Sequence, residues 1–172
     1  MKKDLAIIGG LFLVVIILLI FGKGFSSASY VGFGKVNQTS SQNKNQTNIS
    51  IGSLSVKAQV ASSTNDRKKG LSGRDSLPIN EGMLFVFEKS GKWTIWMKNM
   101  KFPIDIIWID DSPAGGKKIV DIAADAVPQP GKKDSELTLF KPRGDSKYVL
   151  EINAGLANLN NLKVGDAVNF EL

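Results

Sequence analysis

From Leu5 to Phe21 the chain reads LAIIGGLFLVVIILLIF, seventeen consecutive residues without a charge or a hydrogen-bonding side chain. As a helix this run would rise about 1.5 Å per residue and nearly cross a hydrocarbon core about 30 Å thick. It lacks the polar stripe that a helix on the surface of a small soluble domain carries. The run predicts a single N-terminal transmembrane helix over residues 1–22. Lys2 and Lys3 precede it, which predicts a cytoplasmic N-terminus and a C-terminal portion outside the cytoplasm. A cleaved secretory signal is the competing reading, with Ser26, Ser27 and Ala28 as small residues at a cleavage site. Against it, the apolar run exceeds the roughly 7–15 residues of a signal core, and Lys23 falls in the segment a peptidase inspects.

Residues 23–53 are dominated by Gly, Ser, Asn, Gln and Thr, including NQTSSQNKNQTN from Asn37 to Asn48. Such a segment buries too little apolar area to offset its conformational entropy, so it is expected to be a flexible polar linker. From Leu54 onward the pattern changes to short apolar runs of period two, and residues 54–172 are assigned to one folded domain. Leu54, Val56, Ala58 and Val60 alternate with polar residues, as in a strand with one wet face. A short helix is expected next, with Thr64 as N-cap, Asp66 in the first turn and Gly70 at the end. Met83 to Phe87 reads as a buried strand. Trp93 to Lys98 and Ile104 to Asp110 read as a hairpin joined by Asn99 to Pro103. Further strands are expected at 118–123, 136–140, 147–152 and 167–172, with a helical turn or two within 155–162. The sum is a mainly β fold, a compact jelly-roll-like β-sandwich or barrel with one or two short helices.

Composition changes this picture in two respects. The chain has no Cys and no His, which removes disulfides, thiolate nucleophiles, Cys/His zinc sites and histidine bases. The net charge of +6 resides mostly in the first 51 residues; the remainder carries seventeen basic and fifteen acidic side chains. A domain so nearly neutral lacks the concentrated basic face that nucleic-acid binding requires. Gly32-Phe33-Gly34 lacks the flanking strand and helix of a phosphate-binding loop, so no nucleotide is expected. Asp110, Asp111, Asp121 and Asp125 lack the spacing of a calcium loop, so neither metal nor cofactor is expected.

The strings DRKKGLSGRDSLPINEGMLFVF, WMKNMKFPIDIIWID and YVLEINAGLANLNNLKVGD, in that order, resemble the uncharacterised family known as domain of unknown function 192. The resemblance runs from about Leu54 to Leu172 and implies a compact jelly-roll-like β domain, commonly behind a signal or anchor, with no established activity. The family pattern falls on Arg67, Gly70, Leu71 and Arg74, then on Gly82, Met83, Phe85 and Phe87, on Trp96, Met97, Lys98, Asn99, Pro103 and Asp105, and later on Tyr148, Val149, Glu151, Gly155, Gly165 and Asp166. This chain departs from it at Ser72, where Met is usual, and at Met100, where Thr is usual. It also lacks the Cys pair that some members carry in the segment matching Gln129 to Leu137.

Arg67, Arg74, Asp105 and Glu151 stand out as polar residues embedded in or beside apolar sequence. Asp105 shares a strand face with Ile107 and Ile109, so its carboxylate is expected on the core side, offset by an Arg partner. One reading is a structural Arg–carboxylate network. Another is a ligand pocket in which Arg74 and Asn99 hold polar groups while Asp105 or Glu151 accepts hydrogen bonds. A third is a catalytic carboxylate pair of the glycosidase kind. Trp96 alternates with Thr94 and Lys98 on the polar face of its strand, the placement of an aromatic platform for a sugar ring, although edge packing is the ordinary use of such a Trp. The functional expectation is a membrane-tethered binding module, held by residues 5–21, for a small polar ligand, a glycan or an envelope protein. A hydrolase of an envelope polymer and a purely structural accessory domain are the alternatives.

Overall fold

The computed structural model describes residues 45–172. The expected anchor and most of the linker lie outside them; among the described residues no helix is long and apolar enough to cross a membrane. Strands β1 (Gln46–Ile51), β2 (Leu54–Ala61), β3 (Glu81–Gly91), β5 (Ile104–Asp111), β6 (Lys117–Ala126), β8 (Ser146–Asn153) and β9 (Ala167–Val168) form one seven-stranded sheet ordered β1-β2-β3-β8-β5-β6-β9. β4 (Ile95–Trp96) and β7 (Leu139–Phe140) form a separate two-stranded ribbon. Helix α1 (Thr64–Lys69) lies in the crossover between the parallel strands β2 and β3, and α2 (Leu156–Leu159) follows β8.

The two ends of the large sheet meet. Ser50 and Asn169 exchange backbone hydrogen bonds of 3.0 and 2.9 Å, and the Thr47 hydroxyl donates to the Glu171 carbonyl at 2.6 Å. One sheet curled into a nearly closed barrel thus replaces the two stacked layers of a sandwich, and closure removes most of the exposed edge. It also moves the domain boundary. Residues 46–53, expected in the linker, form β1 and the tight turn through Gly52 (φ 56°) into β2. Their Asn/Gln/Thr composition disguises a strand whose inward residues, Ile49 and Ile51, are wholly buried.

Side-chain alternation divides the apolar residues into two cores. All seven strands contribute to the barrel interior, among them Ile49, Val56, Leu84, Ile107, Ile119, Leu150 and Val168. The second core lies on the outer surface of the central strands, around Met83, Phe85, Ile106, Trp108 and Val149. It is covered by Leu71 and Leu77 of the α1–β3 connection and by Ile95 and Met97 of the β4 segment. Central strands buried on both faces read as apolar runs, which explains MLFVF in β3 and, apart from Asp105, IDIIW in β5.

The expected hairpin between 93–98 and 104–110 does not form. Ile95 and Trp96 pair with Phe140 and Leu139, while β5 pairs with β6 and β8. The polypeptide turns instead through Asn99 (φ 56°), whose carbonyl accepts a hydrogen bond from the Gly73 amide at 2.9 Å, so that Met97 folds onto the outer core. Smaller differences are local. Ser63 caps α1, accepting from the Asp66 amide at 3.1 Å, and Thr64 is the first helical residue. The segments 136–140 and 167–172 contribute two strand residues each.

Candidate functional site

Glu151 is the one glutamate on the outer-core side of β8, opposite Met83 of β3 and Ile106 of β5. It is only 5% exposed. Among the described residues its carboxyl receives no hydrogen bond, and it opens at the foot of a cleft of about 220 Å³. Burial pushes this carboxyl from the ordinary 4.5 up to about 8, with Arg74 pulling weakly in the opposite direction. At neutral pH Glu151 is therefore predominantly a neutral acid, able to donate a hydrogen bond.

The walls follow from the two connections that cover the outer core. Phe85 and Phe87 of β3 form an aromatic floor, with the Trp93 ring stacked on Phe87 at 4.1 Å and 7°. Trp96 of β4 stands at the mouth, 46% exposed, with the Lys98 ammonium 5.8 Å from its ring centroid. On the other side runs the last turn of α1. Its C-terminus is formed by Gly70 at φ 50°, whose missing side chain matters: a Cβ there would stand 3.3 Å from the Phe85 ring. Ser72 ties this wall to the β4 segment by donating to the Lys98 carbonyl at 2.8 Å.

The residues singled out in the sequence separate into three groups. Glu151, Trp96 and Arg67 share the cleft. Arg67 is largely committed within the protein, donating to the carbonyls of Ser62 and Val86 and lying 5.2 Å from the Phe87 ring centroid. Arg74 lines a neighbouring cleft of about 320 Å³, where it donates to Gln59 Oε1 at 2.7 Å. The two clefts share Lys69 and Gly70 as their partition. Asn99 is an exposed turn residue that lines neither of these clefts.

Asp105 stands apart from all of these. It is fully buried on the barrel side of β5, as its alternation with Ile104 and Ile106 predicts, but its partner is not an arginine. Oδ1 accepts from the Asp125 amide and Oδ2 from the Ala157 amide, each at 2.8 Å. Two backbone donors satisfy the carboxylate and fix the end of β6 and the start of α2 to β5. The single arginine–carboxylate pair among the described residues is Arg143 with Asp121. Asp121 accepts from Arg143 Nη2 at 2.5 Å, Arg143 Nε at 3.0 Å, the Arg143 amide at 2.7 Å and the Ile122 amide at 3.0 Å.

Among the cleft residues that the sequence did not suggest as site candidates are Thr94, Lys68, Lys69, and Phe85 and Phe87, the last two known only as positions of the family pattern. The two phenylalanines belong to a run that reads simply as buried. In the structure they lie on the Met83 face, and nothing local in the sequence indicates that the cover over that face is incomplete.

The fold and cleft define a small, nearly closed β-barrel domain with a covered outer face and one buried acid open to solvent. The chain belongs to the family DUF192, described as an uncharacterised ACR, whose pattern it matches over residues 46–170. Two solved structures are similar. One is a proposed transcription regulator from Sinorhizobium meliloti 1021, with 26% identity, a TM-score of 0.61, and coverage of 73% of this chain and 92% of that one. The other is a protein of unknown function from Novosphingobium aromaticivorans DSM 12444, with 31% identity, a TM-score of 0.60, and coverage of 72% and 83%. No curated protein matches the chain significantly.

Proposed function

We propose that this protein is a membrane-tethered binding module that presents its barrel outside the cytoplasm and takes a small polar ligand or glycan unit in the Glu151 cleft. The observation that carries the reading is Glu151 itself. A carboxyl so deeply buried normally has protein partners, because an unmet polar group costs stability. Glu151 has none among the described residues and faces a concavity with an aromatic wall. Such a concavity, apolar with a few converging polar groups, is the usual form of a ligand site. Trp96 supplies the exposed ring face on which a sugar packs. The tether rests on the apolar run from Leu5 to Phe21 and on Lys2 and Lys3 before it.

Regulation of transcription, attributed to the Sinorhizobium protein, is not adopted for this chain. Its charges beyond residue 51 are nearly balanced, which leaves little to displace counterions from a phosphate backbone.

The test is a calorimetric screen of the full 172-residue chain in mild detergent against neutral and acidic monosaccharides, short glycans and amino acids. We expect at least one of these to bind in wild type and to be lost in Trp96→Ala, with the unfolding temperature shifting by no more than a few degrees. Absence of any Trp96-dependent binding across the panel overturns the reading. Protease added to intact cells is expected to release the barrel and leave a membrane-bound stub; full protection of the domain in cells lacking an outer barrier overturns the topology.

A further inference from the structure

Resting on the reading of the cleft as a ligand site, we propose that its ligand is a carboxylate-bearing sugar residue, with the ring against Trp96 and the carboxylate between Lys68, Lys69 and the Glu151 carboxyl.

Size comes first. At about 220 Å³ the cleft falls below the roughly 300–1,000 Å³ of sites for drug-sized molecules, and so suits a single ring. Chemistry comes next. Trp96 offers a ring face at the mouth, Phe87 being already stacked on Trp93, while Thr64 and Thr94 line the walls with hydroxyl-bearing side chains. This mixture of aromatic face and scattered hydroxyl fits a sugar better than a purely apolar ring.

Charge selects the acid. The basic residues lining the cleft are Arg67, Lys68 and Lys69, and the acidic one is Glu151. Arg67 already satisfies two carbonyls, but Lys68 and Lys69 form no ion pair among the described residues. Cations in a last helical turn are commonly there for the helix dipole. Here the helix has only six residues, and the Gly70 amide already serves its C-terminus by donating to the Asp66 carbonyl at 2.8 Å. That leaves two ammonium groups at the rim of a cavity whose foot is an unpartnered acid.

An anionic ligand and an ionised Glu151 would repel each other, so the bound state requires Glu151 to hold its proton and donate it in a hydrogen bond. The charged groups facing Glu151 are Arg67, Lys68 and Lys69 from α1 and Arg74 from the connection after it. The neighbouring strands present Met83, Phe85, Phe87, Ile106 and Trp96, and the residue before β4 is Thr94; none of these changes charge in the neutral range. Because burial raises the Glu151 carboxyl to about 8, the competent form is depleted about tenfold for each pH unit beyond that value.

The experiment is titration calorimetry of the full chain in detergent with D-glucuronate, its methyl ester and D-glucose, at pH 6.5 and pH 9. Glucuronate is expected to bind at pH 6.5 at least tenfold more tightly than the ester or glucose, and to weaken about tenfold at pH 9. Glu151→Gln, which keeps a neutral donor, is expected to retain the pH 6.5 affinity within a few-fold and to lose the pH dependence. Lys68→Ala with Lys69→Ala is expected to remove the preference for the acid with the unfolding temperature unchanged. Equal binding of glucose or the ester, or a pH dependence that survives in Glu151→Gln, overturns the assignment and leaves the cleft as a ligand site. Failure of glucuronate to bind while another screened compound shows Trp96-dependent binding does the same. Failure of every compound overturns both readings.

Discussion

Asp105 and Glu151 occupy neighbouring antiparallel strands, one register step apart, yet their carboxyls lie on opposite sides of the sheet. Asp105 pairs with Ile152 and turns into the barrel, whereas Glu151 pairs with Ile106 and faces the outer core. The period of two in a strand makes this separation unavoidable. A glycosidase-like mechanism needs two carboxyls flanking one bond. These two, divided by the sheet and with Asp105 occupied by backbone amides, do not form that pair.

Asp105→Ala is expected to destabilise the domain by about 3–5 kcal/mol, because it leaves the part-buried Asp125 amide and the buried Ala157 amide without an acceptor. Asp105→Asn keeps one acceptor oxygen and should cost less. Urea denaturation followed by circular dichroism measures both. Ligand affinity of the folded fraction should be unchanged in either variant, since neither touches the cleft.

Glu151 makes stability depend on pH in a defined sense. Its folded value, about 8, exceeds the ordinary 4.5, so between these limits the unfolded chain releases a proton that the folded protein retains. Stability is therefore expected to fall as pH rises through that window, by on the order of a few kcal/mol, and to level off above it. Glu151→Gln should flatten this limb and raise the melting temperature at pH 8. Asp121 acts in the opposite sense: burial alone would raise its carboxyl, but the bonds from Arg143 and Ile122 hold it below the usual range. Its contribution is present above the ordinary carboxylate value and disappears as acid brings the pH down through the lowered one. Melting temperatures from pH 3 to 9 for wild type, Glu151→Gln and Asp121→Asn resolve the two limbs.

Much of this arrangement is legible in the residues, and what is not has identifiable causes. Runs such as MLFVF and YVLEIN announce central strands because burial on both faces leaves no polar alternation to confuse them. The orientation of Asp105 follows from the same period. Its partners do not, since the backbone amides of Asp125 and Ala157 have no side-chain signature and lie 20 and 52 residues away. The β4–β7 ribbon consists of two-residue strands far apart in sequence, so the local hairpin between 93–98 and 104–110 looked simpler than the long-range pairing that forms. Convergence on one cleft of Glu151, Trp96 and the end of α1 depends on two loops crossing the outer face, which no local pattern encodes.

Gly82→Ala should weaken the β3–β8 contact from which Glu151 is presented. A Cβ at Gly82 would stand 2.8 Å from the Glu151 carbonyl oxygen and 3.2 Å from the Ile152 side chain, and a backbone atom cannot yield as a flexible side chain would. The expected loss is about 1–3 kcal/mol. Slow hydrogen exchange of the amides where Gly82, Met83 and Leu84 pair with Ile152, Glu151 and Leu150 should accelerate first, and ligand binding should weaken along with it.

The corrected domain boundary provides the last test. A chain beginning at Leu54, where the apolar alternation becomes obvious, would lack β1 and with it Ile49 and Ile51, both wholly buried in the barrel. It would also lack the exchange of hydrogen bonds between Ser50 and Asn169 that brings β1 against the end of β9. Two fully buried isoleucines contribute about 1.5–3 kcal/mol each by burial alone, a large share of the 5–15 kcal/mol typical of a whole domain. Their loss would further expose the edge of β2 and the interior faces of Val56 and Leu54, which lie opposite Ile49 and Ile51, to water. The shortened chain is expected to aggregate or to unfold without a cooperative transition, whereas a chain beginning at Asn45 should unfold in one sharp step. Calorimetric melting of the two side by side decides the matter, and a cooperative transition of similar midpoint in the shorter chain would show that β1 lies against the barrel without supporting it.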